Sequence, residues 1–401
     1  MPLGFNKATR RAAANSAASG GIGLGLLDEG FGGPGGDPLS SGQSAGTLLY
    51  TLNNPDTSAD LDYFGFDVEF SPDGTNIVVA ERYGDTTTTE GTSSIGRVHC
   101  FNAINGTLNW TYDGANAGDQ VTDIAVTDNY VFVSHPEWDT NGYTRVGRVV
   151  ALNMSNGSQA WYVTANTTLY SNKRFGWFVA ANPNDDSMVA YETSSNGLYY
   201  YDSTGSYEGV CYNALDSGST SSQLDGSSWG IIMGFANYDE ASTFTWSRGD
   251  QGKLARPSGY VTFGNSVAVA GHYMAVSDAG WSSGRGRVSV FNTSNRSLAR
   301  NIDNPATVNT SFGTNIHSVD IEDIYLTVGA YGFDNTGYSN DGRAYLFDAS
   351  DGSEICNVQS GNPESNGYFG YSTASAFHRF AVAAVGENSN SGRVYVYSTG
   401  N

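Results

Sequence analysis

Basic residues are scarce in this chain of 401 amino acids. Nineteen Lys and Arg stand against 40 Asp and Glu, a formal charge of −21 at neutral pH. Three of the nineteen, Lys7, Arg10 and Arg11, precede the first acid, Asp28, so the chain after Arg11 carries 16 basic and 40 acidic side chains, a net −24. Such a body repels phosphate backbones and anionic lipid, which sets aside nucleic acid and membrane surfaces as partners. Cysteine is scarcer. Cys100, Cys211 and Cys356 are odd in number and far apart, which gives neither a disulfide framework nor a zinc pattern; they read as packed thiols. No stretch reaches the roughly 18 apolar residues of a membrane span. The opening MPLGFNKATRRAAANSAASGGIGLGLLDEG mimics a signal peptide, but its apolar part is broken by Gly21, Gly23 and Gly25 and followed by Asp28-Glu29. It reads as an arm, not an address.

Catalytic signatures are also missing. The sequence holds no Gly-x-Ser-x-Gly elbow and no phosphate-cradling loop leading into a helix. The five histidines, His99, His135, His272, His317 and His378, fall in separate segments without an HxxxH or HxH pairing. Metal and general-base roles need convergent groups, so the expectation is a protein without catalysis, metal or cofactor. Asp185-Asp186 follows Asn182-Pro183-Asn184, where turn geometry accounts for Asp. Asp56, Asp60 and Asp62 form a loose acidic set that reads as solvated turn residues, since calcium wants six or more oxygens.

What the chain has in abundance is Gly (51) and Tyr (25), with 39% hydrophobic residues in short runs. Many short strands joined by tight turns are implied. A three-part cassette recurs. FGTNIHSVD (312–320), IYLTVGA (324–330) and GRAYLFDASDG (342–352) are matched by FGYSTASAF (369–377), FAVAAVG (380–386) and GRVYVYSTG (392–400). Seven third-strand signals align: GRVHCF at Gly96, GRVVAL at Gly147, GLYYYD at Gly197, GKLARP at Gly252, GRVSVF at Gly286, GRAYLF at Gly342 and GRVYVY at Gly392. Their intervals of 51, 50, 55, 34, 56 and 50 residues fit, with one exception, a four-stranded propeller blade. First strands open at Phe-Gly pairs (Phe64-Gly65, Phe175-Gly176, Phe263-Gly264, Phe312-Gly313, Phe369-Gly370), where a missing Cβ lets crowded backbones approach.

The last unit stops after its third strand, and an orphan strand TLLYTL (47–52) precedes the first unit. Pairing the two closes a ring and buries both edges. The expected fold is therefore all-β: a single propeller over residues 46–401, of seven blades with about four strands each, closed by an N-terminal strand. A Gly/Ala/Ser-rich arm covers residues 1–45. Unit four is irregular. WGIIMGF (229–235) and ASTFTWS (241–247) read as its first two strands and GKLARP as its third. It then lacks an outer strand, or else the ring has six blades and a large insertion.

These motifs resemble FG-GAP-type β-propeller repeats, found in integrin α-subunit heads and in bacterial and phage proteins, and most of all those of marine phage structural proteins. The resemblance rests on LLYTLNNP (48–55), Asp62-Tyr63-Phe64-Gly65, Val328-Gly329-Ala330 and GRAYLFD (342–348), and spans roughly residues 46–400. The family's Asp-x-Asp/Asn-x-Asp-Gly calcium loops are absent, so calcium is not carried over. The resemblance implies a non-enzymatic virion component, tail-associated through fibre or baseplate and docked on other virion subunits by its arm (Phe5, Lys7, Arg10, Arg11), with a host-surface glycan as a further partner. Capsid decoration, a bacterial adhesin or lectin, and a propeller hydrolase or lyase are the alternatives; the last requires a polar, convergent cluster in the central channel.

Candidate binding residues cluster in the irregular unit: Trp229, Tyr238, Trp246, Arg248, Lys253 and Arg256. Repeat proteins often place function where the repeat breaks; a loop repairing a short blade is the plainer reading. Arg248-Gly249-Asp250 is the tripeptide many integrins recognise, and a Gly-containing turn explains it equally. Trp110, Trp138, Trp161 and Trp281 could stack on sugars, though aromatics at strand spacing more often pack between blades.

Overall fold

Short stretches of β-branched and aromatic residues bounded by turn residues make strands, and the third strands Arg97–Asn102 and Arg148–Asn153 are nearly wholly buried, as strands enclosed on both faces must be. The computed structural model describes residues 42–56, 62–84, 95–114, 119–164, 170–212, 222–257 and 262–400. The arm residues Phe5, Lys7, Arg10 and Arg11, and Asp60, lie outside them.

Seven four-stranded antiparallel sheets account for the described strands, and in six of them the strands lie side by side in chain order. Blades 1 to 6 run over residues 64–113, 124–164, 175–212, 223–253, 263–303 and 319–358, and blade 7 over 369–398. First strands touch first strands all the way round, blade 7 returning to blade 1. These seven strands, Phe64–Phe70, Ile124–Val126, Phe175–Ala181, Gln223–Gly226, Phe263–Ala270, Val319–Glu322 and Phe369–Ser375, form the wall of a central channel.

Closure is as expected. Leu48–Asn53 is the fourth strand of blade 7, antiparallel to Arg393–Ser398, with Thr51 opposite Tyr395 and Leu52 opposite Val394. The Phe of each Phe-Gly packs on the third-strand aromatics of its own blade: Phe175 on Tyr199 and Tyr201, Phe312 on Tyr345 and Phe347, Phe369 on Tyr395 and Tyr397. The Gly after it takes positive φ at close quarters. At Gly65 (φ 89°) an added Cβ would come within 2.7 Å of Ala383 in blade 7.

Blade 4 corrects the sequence reading. It is complete, with strands Gln223–Gly226, Ile231–Phe235, Glu240–Phe244 and Asp250–Lys253. The WGIIMGF segment supplies the second strand and ASTFTWS the third, while the start of GKLARP ends the fourth. Its third strand begins with Glu240 instead of Gly-Arg, and that substitution misdirected the alignment. Third-strand starts at 197, 240 and 287 leave intervals of 43 and 47 residues, in keeping with the rest.

Outer strands lock the ring by a second repeated contact. An aromatic of one fourth strand lies on the glycine of the next blade's outer hairpin: Tyr50 on Gly106, Trp110 on Gly157, Trp161 on Gly205. Their polar tips are satisfied across the seam. The Tyr50 hydroxyl donates to Ala103 O (2.5 Å), Trp110 Nε1 to Met154 O (2.7 Å) and Trp161 Nε1 to Ser203 O (3.1 Å). The packing role expected for Trp110 and Trp161 is thus what these residues perform.

Candidate functional site

An innermost propeller strand has one edge with no strand beside it, and its N–H groups need acceptors. Here blades 1, 2, 4, 5 and 6 supply them to the next blade from side chains on or beside their own inner strands. Asp67 Oδ2 accepts from Ile124 N (2.9 Å), Asp123 Oδ2 from Val179 N (2.6 Å), Gln223 Oε1 from Val267 N (3.0 Å) and Ser266 Oγ from Val319 N (3.1 Å). A second tier stands two residues further along. Asp225 Oδ2 accepts from Val269 N (2.6 Å) and Asp320 Oδ2 from Ser375 N (2.5 Å), while Glu69 shares that level.

Five carboxyl groups, Asp67, Glu69, Asp123, Asp225 and Asp320, therefore line one channel, joined by Gln223, His317 and Thr373. No Lys or Arg does so among the described residues. Asp67, Asp123 and His317 are buried, while Glu69, Asp225 and Asp320 keep part of their surface open to the channel. His317 occupies the middle of the lower tier in a left-handed backbone conformation (φ 63°). Its ring lies among Phe66, Phe178 and Gln223, and Nδ1 is 3.3 Å from Asp67 Oδ1 and 3.7 Å from Asp123 Oδ1. One ligating atom from each of Asp67, Asp123 and His317 falls within 4.8 Å of the others.

Crowding so many carboxyls away from bulk water favours their neutral forms. Burial, reinforced by the Asp320 charge, pushes Asp225 up to about 8, and burial pushes Asp320 up to about 7 against the pull of backbone N–H donors. Burial and like charge likewise raise Glu69 and Asp123. The cavity is small, about 50 Å³. Ligand clefts measure about 300 Å³ or more, while a water takes up about 30 Å³. The channel thus has the polar convergence a hydrolase or lyase would require, and space for an ion or a water or two, not a sugar ring.

A second concavity of about 330 Å³ lies on the surface between blades 2 and 3, lined by Asp128, Asn129, Tyr130, Asn153, Met154, Ser155, Asp186 and Ser203.

The residues expected to bind in blade 4 do not converge. Trp246 is half-buried with Nε1 donating to Ser227 O (2.8 Å), and half-buried Trp229 packs on the core between blades 4 and 5. Arg248 reaches back to Glu208 of blade 3, Lys253 pairs with Glu240 (2.5 Å) and Arg256 with Asp239 (2.7 Å); Tyr238 is exposed. Arg248-Gly249-Asp250 is a tight turn, Arg248 N donating to Thr245 O (3.0 Å) and Thr245 N to Gly249 O (2.9 Å). The Asp185-Asp186 pair is likewise a turn, with Asp186 at φ 60°. Asp62 corrects an expectation. It is buried, not solvated, and accepts from Asn54 Nδ2 (3.1 Å), while Asp56 pairs with Arg97. The third-strand Arg97, Arg148 and Arg393 pair with Asp113, Asp119 and Glu387, which gives the recurrent Gly-Arg its structural purpose. Of the other histidines, His99 and His135 are buried and held neutral, desolvation lowering each to about 3; His99 Nε2 is 2.9 Å from Glu81 Oε2. Cys100 and Cys211 are buried, Cys356 half-buried, and all three are free thiols.

Architecture and channel together define a seven-bladed β-propeller. Among solved structures the chain is similar to the Neurospora crassa Pan2 WD40 domain, at 11% identity and a TM-score of 0.59 over 88% of this chain and 95% of that one. It is similar also to the β-propeller domain of Myceliophteria thermophila Cps50 (Swd1), at 10% identity and a TM-score of 0.58 over 88% and 99%. At such identities the likeness concerns fold alone. No protein-family model matches the chain, and no curated protein matches it in sequence. Among the described residues, no helix is long and apolar enough to cross a membrane.

Proposed function

We propose that this chain is a non-enzymatic structural subunit of a phage particle, tail-associated, displayed as a propeller and anchored through its N-terminal arm. The FG-GAP-like motifs support the viral assignment. The observation that carries the tether is where the chain enters the ring. Leu48–Asn53 is the outermost strand of blade 7, and Gly46 N donates to Ser398 O (2.9 Å), so the segment ahead of it joins at the rim beside residues 398–400. That segment opens with Lys7, Arg10 and Arg11 on an otherwise acidic protein. A rim-mounted arm with a basic first stretch suits docking on a neighbouring subunit while both faces of the disc stay open. Ordering it costs roughly 1 to 2 kcal/mol per residue, so it needs an extensive partner surface.

The test is a truncation lacking residues 2–41. It is expected to melt like the full chain and to be missing from assembled particles; incorporation at the normal level overturns the anchor. A glycan contact is favoured by the groove at Tyr130, whose volume matches a small-ligand cleft and whose lining is polar with one aromatic ring. A glycan array probed with the full chain and with Tyr130→Ala tests it; signals equal for both exclude this groove.

A further inference from the structure

Two buried polar atoms on the channel wall have no hydrogen-bond partner among the described residues, Thr373 Oγ1 and His317 Nε2. Thr373 is 3% exposed and His317 5%. Buried polar groups left unmatched are rare, and Thr373 Oγ1 points to a water or ion in the cavity that completes it. It lines the same cavity as Asp67, Asp123 and His317, whereas Nε2 is the ring nitrogen opposite the Nδ1 that meets the two carboxylates. We propose that Asp67, Asp123 and His317 bind one divalent cation of the borderline class, Zn²⁺ by preference, at the floor of the channel.

The ligand atoms are spaced for it. A metal about 2.0 to 2.2 Å from two tetrahedral ligands sets those ligands about 3.3 to 3.6 Å apart; Nδ1 lies 3.3 Å and 3.7 Å from the two Oδ1 atoms. The ligands are also held in place. Asp67 and Asp123 each spend Oδ2 on a backbone N–H of the following blade, and Asp67 Oδ1 also accepts from Val68 N (2.9 Å), which fixes both carboxylates with Oδ1 towards the imidazole. Supports of this kind orient metal ligands and are part of a metal site.

Charge argues the same way. Two buried carboxylates with three more above them face no Lys or Arg in the cavity, and a divalent ion would balance the lower pair. Donor chemistry chooses the ion. An imidazole nitrogen suits Zn²⁺, whereas Ca²⁺ takes six to eight oxygens. Three protein ligands and a water fill a Zn²⁺ shell, and the cavity of about 50 Å³ has room for that water but little more. The three ligands come from blades 1, 2 and 6, so the ion would act as a cross-channel staple, a role distinct from the arm and from any glycan groove.

The experiment uses the full chain, purified without a histidine tag, stripped with a chelator and titrated with ZnCl₂, MnCl₂ or CaCl₂ by calorimetry, with metal content read by mass spectrometry. One Zn²⁺ per chain is expected, with a rise in Tm and no displacement by excess Ca²⁺. His317→Ala should weaken Zn²⁺ binding about tenfold or more, and Glu69→Gln, outside the triad, should leave one equivalent bound. Should His317→Ala fail to fold by near-ultraviolet circular dichroism, Co²⁺ titration of the unmodified chain decides. The strong visible absorption of a four-coordinate site supports the proposal, and the weak spectrum of the aquo ion overturns it. Absence of stoichiometric Zn²⁺, a folded His317→Ala that binds as tightly, or ready displacement by Ca²⁺ would each overturn it.

Discussion

A Cβ added at Gly392, which precedes the third strand of the last blade, would collide with the backbone of Phe64, the residue that opens the first. Gly392 has φ 87°, and Phe64 N donates to Ser391 O (3.2 Å) across the same seam. The relationship recurs between Gly147 and Phe175, Gly286 and Phe312, and Gly342 and Phe369. Gly-Arg and Phe-Gly are thus two halves of one inter-blade contact, which is why they travel together along the chain. Gly392→Ala should lower the urea unfolding free energy by about 2 kcal/mol or more, combining a left-handed non-Gly residue with a backbone clash. Gly142→Ala, also at positive φ (80°) but in open space, isolates the conformational part and should cost about 1 kcal/mol. Equal losses for the two would show that the seam tolerates a methyl group.

That contact explains how much of the fold was legible. Repeat spacing, strand period and closure by residues 47–52 follow from local pattern, because every blade must present the same surfaces to its neighbours. Blade 4 was misaligned because Glu240 replaces the Gly-Arg start, and nothing in its own sequence announces the register. The channel was hidden for a different reason. Asp67, Asp123, Asp225 and Asp320 come from four repeats and meet only when the ring closes, so no window of sequence contains the site. A signal was nevertheless present: Asp67 and Glu69 alternate with Phe66, Val68 and Phe70 on an otherwise apolar strand, and an acid in such a strand is costly unless it faces a partner.

Lys173 and Glu192 form an ion pair at 3.7 Å with both side chains 1% exposed, and the ammonium sits 4.5 Å from the centre of the Tyr170 ring. Removing one member strands the other in a low-dielectric site. Lys173→Met should destabilise the protein by about 3 to 5 kcal/mol, and the double change Lys173→Met with Glu192→Leu should recover much of that loss. Chemical denaturation of the two variants measures the difference. A single variant as stable as the parent would mean that water reaches Glu192.

The channel carboxyls make a signed prediction about pH. Asp225 and Asp320 are raised from an ordinary value of 3.8 to about 8 and about 7, so between those limits the folded chain holds more protons than the unfolded one. Stability they lend is complete below about pH 4 and is lost as pH rises towards 8. Chelator-treated protein should therefore show a Tm that falls from pH 5 to pH 8. Asp225→Asn, which keeps a carbonyl oxygen for Val269 N, should flatten that fall and melt higher than the parent at pH 8. A Tm that climbs over this range, or a slope unchanged in the variant, would show that these groups ionise as freely as exposed ones.

The closing strand supplies the sharpest test of the architecture. Leu48–Asn53 covers the edge of Arg393–Ser398, Leu52 is 2% exposed in the core between blades 7 and 1, and Tyr50 bridges to Ala103 of blade 1. Deleting residues 2–54 removes all three contacts and leaves a strand edge free to pair with another chain. Light scattering should then report self-association and the melting transition should broaden, whereas deletion of residues 2–41 should change neither. Adding a synthetic peptide of residues 42–56 to the longer truncation should restore the monomer, because the missing piece is a strand with its own register and not a covalent requirement. A longer truncation that stays monomeric with its Tm intact would mean that the ring is held by the inner and outer blade contacts alone.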